Sequence, residues 1–165
     1  MRRGWIILLA GLSLVGCATR VTYDNTTSSV ELVERAVSSL GQAEDYLPAD
    51  EDHFDFYFGT EDAMDEVEDF SVVYHRETTN VNEIGIFRVD DEEDVPAVRA
   101  MVQNYLDGQV ENLRAFAANY SPRDMKKIEG ASVRVLGTYV IYYILDEEDA
   151  GRAMRVLEEA LTRRS

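Results

Sequence analysis

At 165 residues the chain has room for one domain with a single modest hydrophobic core. A formal net charge of −16, from 32 acidic against 16 basic residues, repels nucleic-acid phosphates, so no nucleic-acid partner is expected. The single cysteine, Cys17, excludes an intrachain disulfide and a zinc–thiolate cluster.

The N-terminus carries Arg2 and Arg3, then an apolar run over 5–15, too short to span a bilayer as a helix. It ends in Leu14-Val15-Gly16-Cys17, which resembles a bacterial lipobox: an aliphatic residue, a tolerant position, a small residue, then the cysteine that receives lipid. The expected organisation is a signal peptide over 1–16, a lipidated Cys17 with a tether over 17–27, and one domain over 28–165. Cleavage falls between Gly16 and Cys17. Two acyl chains, palmitate among them, anchor stably at about 0.8 kcal/mol per buried CH₂. Residues 18–27 are polar and Thr-rich, without apolar periodicity, and read as tether.

Ser28 and Glu31 stand at capping-box spacing and open a first helix, with Val30, Val33, Val37 and Leu40 inward and Gly41 as its stop. The segment 44–69 holds twelve acidic residues, and no Lys or Arg occurs between Arg35 and Arg76. Inside it Phe54, Phe56, Tyr57 and Phe58 form an aromatic knot that must dock against the core. Residues 61–69 read as a short helix carrying Met64 and Val67 inward. Residues 70–76 and 83–89, rich in β-branched and aromatic side chains, predict a hairpin.

The acidic run 90–94 and Pro96 then open the longest helix, in positions that suit the helix dipole and proline's missing N–H. Its stripe is Val95, Val98, Val102, Tyr105, Val110, Leu113 and Phe116, with Asp107-Gly108 as a weak point. Ser121-Pro122-Arg123-Asp124 predicts a short helix with Ser121 as cap and Gly130 as stop. A second hairpin, 131–136 and 139–145, turns at Gly137-Thr138, which suits a type II′ turn. Its second strand is apolar on both faces and so reads as central. Asp146 caps the last helix, whose inner face is Ala150, Ala153, Met154, Leu157, Ala160 and Leu161. The fold class expected is α+β: about four mainly antiparallel strands in two hairpins, with helices packed on one face.

With these elements laid out, the chain from about residue 28 to 163 resembles the small bacterial lipoproteins of domain-of-unknown-function family 4358. The matching pieces are Asn82-Glu83-Ile84-Gly85-Ile86-Phe87, Asn119-Tyr120-Ser121-Pro122 and Gly137-Thr138-Tyr139-Val140, and more loosely Phe56-Tyr57-Phe58-Gly59. The resemblance implies a fold and a location at the outer face of the cytoplasmic membrane. It implies no reaction, since that family has no catalytic residues to carry over.

Candidate chemistry is sparse. His53 lies among Asp50, Glu51, Asp52 and Asp55, but Phe54 and Asp55 stand where an EF-hand needs a ligand and a glycine. A solvated acidic loop is the simpler reading. His75 reads as a solvent-side strand residue. Tyr139, Tyr142 and Tyr143 could form a stacking surface, but at strand spacing they read as core and edge packing. No nucleophile elbow, phosphate loop or dinucleotide fingerprint occurs. The expectation is therefore a non-enzymatic, membrane-anchored extracytoplasmic interaction module with an envelope-protein partner. No cofactor, metal site or catalytic residue is assigned. The alternative is a lipoprotein that binds a cation or small ligand through 44–69.

Overall fold

The computed structural model describes residues 21–41, 43–50, 52, 57–59, 61–121 and 124–163. The class is α+β, as expected, and the sheet is antiparallel throughout. In chain order the elements are α1 (Ser29–Ser39), β1 (Tyr46–Pro48), β2 (Val67–His75), β3 (Glu83–Val89), α2 (Val95–Tyr120), α3 (Met125–Glu129), β4 (Ser132–Leu136), β5 (Tyr139–Ile144) and α4 (Glu147–Leu161). The strand order across the sheet is β1-β2-β3-β5-β4.

In the layout of the sheet and its cover, two features differ from the sequence-based expectation. The sheet has a fifth strand: Tyr46-Leu47-Pro48 pairs with the outer side of β2, Tyr46 opposite His75 and Pro48 opposite Val73. Three residues with a proline carry almost no strand signal, but a proline is tolerated on a sheet edge because no partner there needs its missing N–H. The helices also flank both faces of the sheet, where one face was expected. Leu32, Val33, Ala36 and Val37 of α1 and Ala153, Leu157 and Leu161 of α4 pack with Ile84, Ile86, Tyr139, Ile141 and Tyr143. On the other face Val98, Met101, Val102 and Leu106 of α2 and Ile128 of α3 cover Phe87, Val89, Val140, Tyr142 and Ile144. The alternation of a strand requires this outcome, since β5 is buried at all six positions and so has two faces to cover.

Local signals explain most of the element boundaries. The Ser28 hydroxyl accepts from the Glu31 N–H at 3.2 Å and opens α1, and Gly41, at φ +74°, follows its end. On α1 the inward face rotates slightly from the one expected: Val30 is 51% exposed and Leu32 is buried in its place. The Asp146 carboxylate accepts from the Asp149 N–H at 2.9 Å and opens α4. The helix α2 runs unbroken through Asp107-Gly108. Only a single 3₁₀ turn, Asp62–Glu66, occupies the place of the helix expected over 61–69, and Val67–Asp69 belong to β2. Met64 and Val67 nonetheless pack inward against the α2 side of the core. Asp124, not Ser121, is the cap residue of α3, and the Ser121 hydroxyl donates to its carboxylate. The β4–β5 turn has Gly137 at φ +60° and Thr138 at negative φ, the pattern of a type II′ turn.

Part of the segment read as tether is held against the domain. Tyr23 forms an antiparallel bridge with Thr162, the Asp24 N–H donates to Leu161 O at 2.7 Å, and the Arg163 N–H donates to Thr22 O at 3.0 Å. The Tyr139 hydroxyl donates to Thr27 O at 2.7 Å. An added Cβ at Gly137 would fall 2.6 Å from Asn25 Oδ1 and 2.8 Å from the Tyr23 Cβ, so the turn is cut to fit this arm. Composition alone could not reveal the docking, because its bridge to 161–163 is made by backbone groups that every sequence has.

Candidate functional site

Gly16 and Cys17, the residues assigned to cleavage and lipid attachment, lie outside the described residues, as do His53, Phe54, Asp55 and Phe56. Of the acidic stretch around His53, Asp50 and Asp52 are described, and both are exposed. Among the described residues no group of three or more His, Cys, Asp or Glu side chains is disposed to hold a metal ion.

The most unusual chemistry sits where β3 begins. Glu83 is only 9% exposed, and its Oε1 accepts two phenol hydroxyls, from Tyr142 at 2.5 Å and Tyr105 at 2.6 Å. Three elements converge here: Glu83 from β3, Tyr142 from the adjacent β5, and Tyr105 from α2 above. Gly85, directly opposite Tyr142, creates the room. An added Cβ there would fall 2.6 Å from Tyr142 Cζ and 2.8 Å from its Cδ1. Without a side chain at 85 the Tyr142 ring lies over that position and its hydroxyl reaches Glu83. Tyr57 and Phe58 dock on the same cluster, with ring centroids 5.2 Å and 4.6 Å from that of Tyr105, so the described half of the aromatic knot seals it.

Burial pushes the Tyr142 phenol well above its ordinary range, and the nearby Glu83 carboxylate adds to the effect. Tyr105 is raised for the same two reasons, in the same order. Both hydroxyls therefore stay protonated donors, and a proton acceptor buried between two such donors is locked in place. This arrangement rigidifies the sheet and does not by itself amount to an acid–base pair. Strand spacing places Tyr142 in the core, but nothing local signals its pairing with Glu83, because a glutamate at a strand start normally points to water.

Beside this cluster the β2–β3 connection forms an open cleft of about 470 Å³, lined by His75, Asn80, Asn82, Glu83, Gln109 and Asn112 among others. His75 is not on the solvent side of its strand as expected. It is 8% exposed, its ring meets that of Tyr46 edge-on at 5.6 Å, and its Nδ1 accepts the Glu77 N–H at 3.1 Å. The unforeseen strand β1 is what covers it. Asn82 is buried and donates to the Tyr46 hydroxyl at 3.0 Å, while its Oδ1 finds no partner among the described residues.

Each polar or glycine position of Asn82-Glu83-Ile84-Gly85-Ile86-Phe87 thus serves the packing of the sheet. Asn82 ties down β1, Glu83 holds two phenols, and Gly85 admits a ring. The profile of DUF4358, a domain of unknown function, matches residues 40–145. The chain belongs to this family. The DUF4358 match takes in all five strands, α2 and α3, whereas α1 and α4 lie outside it. No curated protein and no solved structure matches the chain.

The second concave feature lies where the family segment meets α4. A groove of about 1380 Å³ runs between β4 and α4, with Leu136, Tyr143 and Leu145 as its floor and Gly151 and Met154 on the helix side. Leu136, Tyr143 and Leu145 are buried. Five carboxylates, from Glu129, Asp146, Glu147, Glu148 and Glu158, stand round it with two cations, Lys126 and Arg134. No helix of the described residues is long and apolar enough to cross a membrane.

Proposed function

We propose that this DUF4358 domain is a membrane-anchored, extracytoplasmic interaction module, tied to the bilayer by lipid on Cys17 after cleavage behind Gly16. The single observation that carries the reading is the N-terminal signal: Arg2-Arg3, the apolar run and Leu14-Val15-Gly16-Cys17 in succession. The docked arm supports it mechanically. From Cys17 to Thr22 the chain advances five residues, a reach of at most ~18 Å, so an anchor at Cys17 would hold the domain close to the headgroups.

The arm meets the domain at the end of the sheet that carries the Gly137-Thr138 turn. The β2–β3 connection lies at the opposite end, because Glu83 pairs with Ile144 and Arg88 with Tyr139. A strand of seven residues separates the two ends by ~24 Å at ~3.4 Å per residue. An anchored domain of this kind stands on one end and offers its far end and its flanks to other envelope proteins. The excess of acidic residues keeps it from lying flat on anionic lipid.

Replacing Cys17 by serine should release the protein from the membrane fraction or leave the uncleaved precursor, read by fractionation and by intact mass. A native product whose mass shows an unmodified thiol at Cys17 would end the anchor reading.

A further inference from the structure

We propose that the groove between β4 and α4 binds an extended, basic segment of a partner protein, which adds to the sheet as a sixth strand beside β4. The proposal names the surface through which the interaction module acts. It rests on that reading but is independent of the lipid anchor.

Three observations converge on this place. First, β4 is a sheet edge: it pairs with β5 on one side, and among the described residues nothing pairs with its other side. In a two-residue hairpin the residues flanking the turn exchange hydrogen bonds, and the alternation that follows from Leu136 and Tyr139 turns the N–H and C=O of Val133 and Val135 outward. Val135 is 38% exposed. Unpaired groups of this kind are a template for an incoming strand.

Second, Gly151 stands inside α4 and lines the groove, and an added Cβ there would meet nothing within 4 Å. A glycine inside a helix weakens the helix, and here no neighbour among the described residues requires it. It leaves the wall of the groove low, which lets another backbone approach. Third, five carboxylates and two cations line the groove, and with Glu148 paired to Arg152 at 3.9 Å an acidic excess still remains, within a chain of net charge −16. Charge complementarity selects a basic occupant.

A second copy of this chain fits worse. Antiparallel self-pairing centred on β4 would set Arg134 opposite its own counterpart, and like charges directly opposite are destabilising. It would also bring two strongly acidic domains edge to edge.

The test is selection from a random ten-residue peptide display library against the full chain in detergent micelles, followed by fluorescence anisotropy with the enriched peptides. Enriched sequences should alternate apolar residues with Lys or Arg, and their affinity should fall severalfold as ionic strength rises. Val135→Pro removes an outward N–H and no internal ladder bond, so the fold should survive while affinity falls at least tenfold. Gly151→Trp should fill the groove and cause a comparable loss, and it serves alone if Val135→Pro fails to fold by circular dichroism. The full chain with Cys17→Ser should bind equally well, which separates this outcome from that of the anchor. Absence of enrichment, enrichment of acidic peptides, or affinity untouched by Gly151→Trp would overturn the proposal. So would a dimer in sedimentation that Val135→Pro dissolves, since the occupant would then be a second copy.

Discussion

Gly85→Ala adds a single methyl group, and the structure assigns that methyl a position already occupied. The new carbon would sit 2.6 Å from Tyr142 Cζ and 2.8 Å from its Cδ1, well inside van der Waals contact. The neighbour is no flexible chain end but a fully buried ring, set against Tyr105 at 5.4 Å and Phe87 at 6.3 Å between centroids. Overpacking of this kind costs about 1–3 kcal/mol, and a ring that moves aside also loses its hydrogen bond to the Glu83 carboxylate, worth about 1.5–3 kcal/mol. The expected loss is about 3–5 kcal/mol, a large share of a domain stability of about 5–15 kcal/mol. Urea unfolding followed by circular dichroism measures it. Gly108→Ala and Gly151→Ala provide the contrast, since a Cβ at either meets nothing within 4 Å. The same chemical change there should stabilise by about 0.5–1 kcal/mol. Tyr142→Leu in the Gly85→Ala background should recover part of the loss, with a coupling of at least about 1.5 kcal/mol in the double-mutant cycle. If Gly85→Ala lies within about 1 kcal/mol of the parent, or the two changes simply add, the steric account of the motif is wrong.

Two further predictions concern pH and helix ends. Tyr105 and Tyr142 titrate above their unfolded value of about 10, and Tyr139 is pushed up to about 12, mainly by burial. Their contribution is therefore complete below pH 10 and lost as pH rises from there toward the folded values; stability should fall above pH 10 by up to about 1.4 kcal/mol per unit for each tyrosine, and Tyr142→Phe should flatten that slope. A stability profile flat to pH 11.5 would contradict the burial of these hydroxyls. Ser28→Ala and Asp146→Ala should each cost about 0.5–2 kcal/mol in thermal or urea unfolding, since each removes an acceptor for an otherwise unpaired N–H at a helix start.

Sequence alone determined what depends on neighbours along the chain. The caps at Ser28 and Asp146, the type II′ turn at Gly137-Thr138, both hairpins and the central place of β5 were all legible, because local hydrogen bonds and period-two alternation are written within a few residues. The family could be recognised on the same grounds, from Asn82-Glu83-Ile84-Gly85-Ile86-Phe87 and the turn motifs. Tertiary structure alone decided what depends on residues far apart. It set Tyr46-Leu47-Pro48 on the sheet edge, buried His75 under it, and folded 22–27 back against Leu161, Thr162, Thr138 and Tyr139. It also brought Glu83, Tyr105 and Tyr142 together from positions up to 59 residues apart, and left a groove between β4 and α4. A glutamate, a glycine or an edge strand has the same local signature whether it meets water or a buried ring. Which of these it meets is settled only when the two faces of the sheet are covered, because burial and the pairing it enforces belong to the packed whole.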